Sequence, residues 1–408
     1  MAASGVRRAV LSQTLSRIRC SGGHVTLRGR YTGDGTTTSA VTSESLKGKR
    51  SACWVKVIKH DPIGRNFLNS LGGGGGGGGE GGGRGAAGGC LMAVVAFSLF
   101  SSADEDQRDE AQRKEDEMIL LLKKAKLSVS RGQLEVASGF LHQAVVVAHQ
   151  THNHQAVIYA YSLMANLAYV QGQLDHAEKL FKAAMSFMLS GGMPQDDNAV
   201  IEMSLKLTTI YAEQNKAELA EIGFRFCTES LEAKLQKHKE TAVEDLTEEQ
   251  EALRKDTRLL LGLCFDSRAR YRASTLHLEQ AGRDYQKALD ICLQEQGHTH
   301  PQTLVLMSDL ATILDLQGRH DDALALVQRA VDLSSGHPDQ HVLLGNMAGI
   351  LLHKGRLEDS VRFYLQALGL AQQAGDHEAV EKIQEGLQEV KKRRSQESKE
   401  EEAKATEQ

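Results

Sequence analysis

The chain has 408 residues, enough for two or three ordinary domains or one long repeat array. Aromatics at 5% and only 4 prolines argue against a strand-rich sandwich. The net charge of −5 conceals a split: residues 1–90 hold thirteen Lys and Arg against four Asp and Glu, so the remainder is acidic and presents no basic face for nucleic acid.

The first segment, residues 1–33, carries six arginines (Arg7, Arg8, Arg17, Arg19, Arg28, Arg30) and no acid before Asp34. Val6, Val10, Leu15 and Ile18 recur between them at helical spacing. An amphipathic, arginine-rich, acid-free start is the composition of a mitochondrial transit peptide, and a secretory signal would need a compact apolar core here. Residues 34–89 form a linker without a folded pattern, ending in a run from 72 to 89 with fourteen glycines. Glycine gives no side chain to pack and populates all of backbone space, so a flexible spacer is expected. No GK[ST] follows, which excludes a phosphate-binding loop.

Residues 85–103 carry no charge, and five of the next seven residues are acidic. A helix of that length spans about 28 Å, against a hydrocarbon core of about 30 Å. The apolar centre within 90–103 is expected to act as a sorting or transmembrane segment at the inner membrane. The acidic stretch 104–115 follows. Charge bias then leaves the basic side in the matrix and the body facing the intermembrane space.

From residue 116 the sequence repeats itself. "ANLAYVQGQLDHAEKLFKAAM" (165–185), "ATILDLQGRHDDALALVQRAV" (311–331) and "AGILLHKGRLEDSVRFYLQAL" (348–368) share one frame. A small residue (Ala165, Ala311, Ala348) lets two helices approach, and a glycine seven later (Gly172, Gly318, Gly355) takes the turn. A second small residue (Ala177, Ala323, Ser360) marks the helix crossing. A last alanine (Ala184, Ala330, Ala367) packs on the next repeat. These are the small and large positions of a tetratricopeptide repeat.

Three weaker copies fit the frame. Ala125, Gly132, Ala137, Leu141 and Ala144 form the first, and Leu207, Tyr211, Asn215, Ala220, Phe224 and Cys227 the third. The fourth is read on Gly262, Ala281, Tyr285 and Ala288, with a first helix lengthened by about two turns between its first two anchors. Residues 232–255 are expected to form extended helices with an exposed turn near Asp245–Thr247. Pro301 and Pro338 suit first helical positions. The expected fold is an all-α tetratricopeptide-repeat superhelix over 116–392, with about six helix pairs and a C-terminal capping helix. A disordered charged tail, 393–408, is expected to follow.

Chemistry is sparse. The six cysteines form no close pair, and Cys227, Cys264 and Cys292 read as small core residues. His149, His152 and His154 cluster in "HQTHNH", but no carboxylate or cysteine accompanies them, so they read as loop residues. His298 and His300 read the same way. No nucleophile or acid–base constellation stands out, and neither catalysis nor a cofactor or metal is expected.

Repeat arrays instead bind polypeptides along the first helix of each repeat. Counting from the anchors places Tyr159, Ser162, Asn166 and Tyr169 in the groove, then Glu202, Leu205, Thr209 and Glu213, then Ser308, Thr312 and Asp315. Asn166 suits a peptide backbone and the tyrosines supply contact area. Ser162 stands where a carboxylate clamp would need a lysine, so a chaperone-tail clamp is not expected.

Residues 163–207, 297–319 and the loop "SGGMPQDDN" resemble a family of mitochondrial inner-membrane tetratricopeptide-repeat proteins, over about residues 116–390. The head departs from that family and shares only its layout. The resemblance implies a non-enzymatic factor for assembly or maintenance of respiratory complex III. Its implied partners are complex III subunits, including the Rieske iron–sulfur protein whose processed fragments it would help clear. "HPQTLVLMSDLATILDLQG" also resembles the repeats of kinesin light chains, which implies the alternative of a cytosolic cargo adaptor.

Overall fold

The computed structural model describes residues 110–240 and 247–406. The presequence, the linker, the apolar segment and the acidic stretch before Glu110 lie outside the described residues. Thirteen helices account for the described chain: α1 (Glu110–Ser130), α2 (Leu134–Gln150), α3 (His154–Val170), α4 (Leu174–Ser190), α5 (Asn198–Glu213), α6 (Ala217–Glu240), α7 (Glu248–Ser274), α8 (Leu278–Glu295), α9 (Pro301–Leu316), α10 (His320–Leu333), α11 (Gln340–His353), α12 (Leu357–Ala374) and α13 (His377–Thr406). Among the described residues there is no strand, and no helix is long and apolar enough to cross a membrane.

The helices form two compact units, one ending at Gln195 and holding α1–α4, the other starting at Asp196 and holding α5–α13. In each unit every helix packs on its sequence neighbours. In the second unit, first helices of successive pairs also meet: α5 with α7, and α9 with α11.

The two helices of a pair differ in pattern. Second helices are amphipathic: α4 buries Ala177, Leu180, Phe181, Ala184 and Met188, one stripe at helical spacing. The first helices α3, α5, α9 and α11 are buried over most of their surface. In α3 thirteen of seventeen residues are buried, as an apolar sequence without a polar face requires. Fully buried Phe181 and Phe224 each contribute roughly 1.5–3 kcal/mol. The alanines Ala165, Ala177, Ala184, Ala311, Ala323, Ala330, Ala348 and Ala367 all have zero exposure. Ser360 is equally buried and satisfies its hydroxyl by donating to the Ala348 carbonyl oxygen at 2.8 Å.

One turn recurs inside every pair. Gly132, Gly172, Asn215, Leu276, Gly318 and Gly355 all take left-handed backbone, with φ between 59° and 82°. The next residue donates back across the helix end: Gln173 N–H to the Ala168 carbonyl at 2.9 Å, His277 N–H to that of Arg272 at 2.8 Å. This closes the first helix and satisfies carbonyls that would otherwise face the crossing.

Leu276 corrects the fourth repeat. Its φ of 65° marks it as the turn residue, although its side chain disfavours that backbone. Counting back from Ala281 by the usual twelve residues, the first anchor is fully buried Ala269, not Gly262. Gly262 sits two turns upstream, where an added Cβ would meet Ile291 at 3.2 Å. The extra length of 27-residue α7 therefore lies ahead of the anchor, not between the anchors. The long helices α6 and α7 bracket residues 241–246, which lie outside the described residues, and Thr247 opens α7 with a reciprocal capping box to Gln250.

Two further differences concern helix ends. Pro301 is the first residue of α9, but Pro338 lies in the turn before α11, whose N-cap is Asp339. The capping helix α13 also runs past Lys392 to Thr406, so the segment read as a disordered tail continues as helix. Glu, Lys, Arg, Gln and Ala dominate it and no glycine or proline follows Gly386, which favours propagation. Arg394 pairs with Glu358 of α12 at 2.6 Å.

Leu276→Gly should raise stability by up to about 1 kcal/mol, since relief of the left-handed strain exceeds the added glycine entropy; thermal melting reads it, and a lower melting point would contradict the turn assignment. Gly386→Ala should cost about 1–3 kcal/mol, because the new Cβ would lie 2.5 Å from the Tyr364 ring. Gly369→Ala on α12, with open space around it, should instead gain up to about 1 kcal/mol. Equal effects of the two would remove the close α12–α13 approach.

Candidate protein-binding face

On α3 the spacing of three, four and three places Tyr159, Ser162, Asn166 and Tyr169 on one face. An open groove wall would leave them accessible. Instead they are closed: Tyr159 is 1% exposed, Ser162 0%, Asn166 1% and Tyr169 3%. Their polar atoms are the informative part. Among the described residues neither the Ser162 Oγ nor the Asn166 Oδ1 has a hydrogen-bond partner. Leaving such a buried group without a bond costs about 1–3 kcal/mol. The Lys126 ammonium from α1 stands 5.1 Å over the Tyr159 ring.

In the second unit the expected face behaves differently. Glu202, Leu205 and Glu213 are buried and Thr209 is half-buried. Glu202 pairs with Lys206 one turn along at 2.9 Å, both almost fully buried; Lys206 was not anticipated from the register. The Thr209 hydroxyl donates to the Leu205 carbonyl at 3.0 Å. On α9 the three expected positions are occupied within the fold. Ser308 accepts from Asn346 Nδ2 at 2.7 Å, and Thr312 donates to the Ser308 carbonyl at 2.9 Å. Asp315 faces the Nδ1 atoms of His320 at 2.7 Å and His353 at 2.5 Å, one on each carboxylate oxygen. The Ser308–Asn346 and Asp315–His353 bonds join α9 to α11, whereas on the α3 face the Ser162 Oγ and Asn166 Oδ1 are without partners among the described residues.

One buried ionic site was missed by the sequence reading. Arg268 makes a bidentate contact with Asp284, Nε to Oδ2 at 2.9 Å and Nη2 to Oδ1 at 2.8 Å, and Arg272 Nη1 adds a third bond to Oδ2 at 2.6 Å. Arg268 also reaches the buried Thr228 hydroxyl on α6 at 3.2 Å. The signal was present in "SRARYRAS": arginines four apart share one helix face, while Arg270 between them points elsewhere and pairs with Asp266. The partner Asp284 comes from α8, and nothing local announces it.

The histidines expected at the loops assemble no site among the described residues. His149, His152 and His154 are exposed; His149 edges the stacked Tyr161 and Phe187 rings. His300 caps α9 by accepting from Gln302 N–H at 3.2 Å. No group of three metal-binding side chains occurs among the described residues. Burial, helped by the nearby Asp266 charge, pushes the Cys292 thiol up to about 12.

Asp284→Asn should cost about 3 kcal/mol, since two largely buried guanidinium groups lose their counter-charge; an effect under about 1 kcal/mol would make the site a surface pair. Asp376 caps α13 by accepting from Ala379 N–H at 3.0 Å and also meets His341 Nε2 at 3.1 Å. Burial opposes its charged form, but these bonds prevail and hold its carboxyl below the ordinary 3.8. Its contribution is therefore complete above that value and is lost as pH falls through the lower folded value. Asp376→Asn should flatten the acid limb of the stability profile; an unchanged limb would contradict the pairing.

Residues 277–335 match the tetratricopeptide repeat family model. The chain is 67% identical over 214 residues to tetratricopeptide repeat protein 19, mitochondrial, of Danio rerio, covering 52% of each chain. To the Homo sapiens protein of that name it is 52% identical over 214 residues, covering 52% of this chain and 56% of that one. The chain thus spans about half the length of the curated relatives it matches. The crystal structure of the apo form of RapI is 11% identical, covers 83% of this chain and 80% of its own, and superposes with a TM-score of 0.52, a likeness of fold alone. The fold is that of a tetratricopeptide-repeat array, and over the matched half the chain is similar to tetratricopeptide repeat protein 19, mitochondrial.

Proposed function

We propose that this chain is a non-enzymatic mitochondrial scaffold that binds subunits of respiratory complex III and supports assembly or maintenance of that complex. Clearance of processed fragments of the Rieske iron–sulfur subunit is part of this reading. The mitochondrial names of the relatives and the repeat fold support the scaffold role, and the basic, acid-free start of the chain supports import. The apolar segment 90–103 then holds the array at the inner membrane, with the repeats in the intermembrane space.

The observation that carries the binding role is the pair Ser162 and Asn166. Both are dry and unpartnered among the described residues, and both sit on a first-helix face. A carboxamide offers one donor and one acceptor in a plane, which matches a peptide unit. An extended polypeptide laid along α3 would give the Asn166 Oδ1 a main-chain N–H. Tyr159 and Tyr169 would flank it with rigid apolar area.

Asn166→Ala should weaken binding to isolated complex III at least tenfold, about 1.4 kcal/mol, while leaving thermal stability unchanged or raised. Unchanged affinity would remove α3 from the binding face. Deleting residues 1–33 should leave the protein in the cytosol, and undiminished import would refute the presequence.

A further inference from the structure

Cys227, Cys264 and Cys292 are free thiols in the core. Two of them meet. Cys227 on α6 follows Ala220 by seven residues, the place filled by Ala144, Ala184, Ala288, Ala330 and Ala367 in the other repeats. Cys264 on α7 precedes Ala269 by five, where other first helices carry Ala160, Leu306 and Leu343. Both cysteines have zero exposure, and α6 and α7 pack on each other. Both lie in one core cluster, where the Cys227 thiol donates to the Ile201 carbonyl at 3.7 Å and is close enough to act on the Cys264 thiol. The other repeats fill this joint with alanine and aliphatic residues, so close packing by itself does not call for sulfur.

We propose that Cys227 and Cys264 are a redox pair that a small-molecule disulfide converts into a cross-link between the third and fourth helix pairs. The two cysteines face one joint between helices that already pack in the reduced fold, so the proposed bond joins residues of one core cluster. One cysteine, as thiolate, attacks the external disulfide and releases one equivalent of reduced thiol. The second cysteine then displaces the mixed disulfide and releases the other. The chain loses two protons and two electrons, and the external disulfide is reduced to two thiols. Burial pushes the Cys264 thiol well up, so thiolate is scarce in the closed joint and exchange proceeds through local opening. The cross-link closes a loop of α6, α7 and their connection, which restricts the unfolded chain.

The test uses the full chain, reduced and then incubated with glutathione disulfide. Free thiols are blocked in denaturant and the unreduced digest is mapped by mass spectrometry. The expected product links the Cys227 and Cys264 peptides, leaves Cys292 blocked, and raises the melting temperature by several degrees. Cys227→Ala places the residue that neighbouring repeats use at this position, and should fold but show no oxidant-dependent rise; Cys264→Ala is the second such variant. Full blocking of Cys227 and Cys264 while Cys20, Cys53 and Cys90 are oxidised would overturn the proposal. So would a link to Cys292, or an equal rise in the alanine variants.

Discussion

Everything in this fold depends on how closely two helices of a pair approach at their crossing. That distance is set by one small residue on each helix, twelve positions apart, and by a left-handed residue between them that ends the first helix. Alanine at the crossing lets backbones come near, and the turn redirects the chain without leaving carbonyls dry. Larger residues then fill the space this leaves. Phe181, Phe224, Tyr285 and Tyr364, four residues after the second small position, are all buried to 2% exposure or less. In the third repeat Thr208 stands twelve residues before Ala220, and Gly223 makes room for it: an added Cβ there would lie 2.1 Å from the Thr208 hydroxyl.

This constraint also explains which parts of the fold could be read from sequence. Repeats with glycine at the turn, at 172, 318 and 355, announce themselves because two small residues and a glycine recur in fixed register. The fourth repeat hid its frame because Leu276 occupies the turn, a residue that carries no turn signal. The small residues of "SRARYRAS" then offered several candidate anchors, and only the packing selects Ala269. The end of the array was misjudged for another reason. A run of charged helix formers reads equally as a solvated coil and as a helix, and its docking through Ile383 and Val390 is what anchors the helical start.

The candidate face was legible in position and not in character. Helical counting finds Tyr159, Ser162, Asn166 and Tyr169 on one face, but cannot say whether that face is wet. The structure shows them almost fully buried, with the Ser162 Oγ and Asn166 Oδ1 unbonded among the described residues. The same counting on α9 finds Ser308, Thr312 and Asp315, whose bonding capacity is consumed by Asn346, His320, His353 and their own helix. Partners supplied by another helix carry no local signal, which is why the Arg268–Asp284–Arg272 site between α7 and α8 and the approach of Cys227 on α6 to Cys264 on α7 were invisible before folding brought the helices together.

The proposed reading places a polypeptide partner, one from complex III, on α3. Site-specific photocrosslinking in mitochondria tests this most directly, with a photoreactive residue at Tyr169 and a control at exposed Leu365. The account predicts adducts to complex III polypeptides from position 169 that position 365 does not give. Identical adducts from both positions, or none to complex III from position 169, would contradict it.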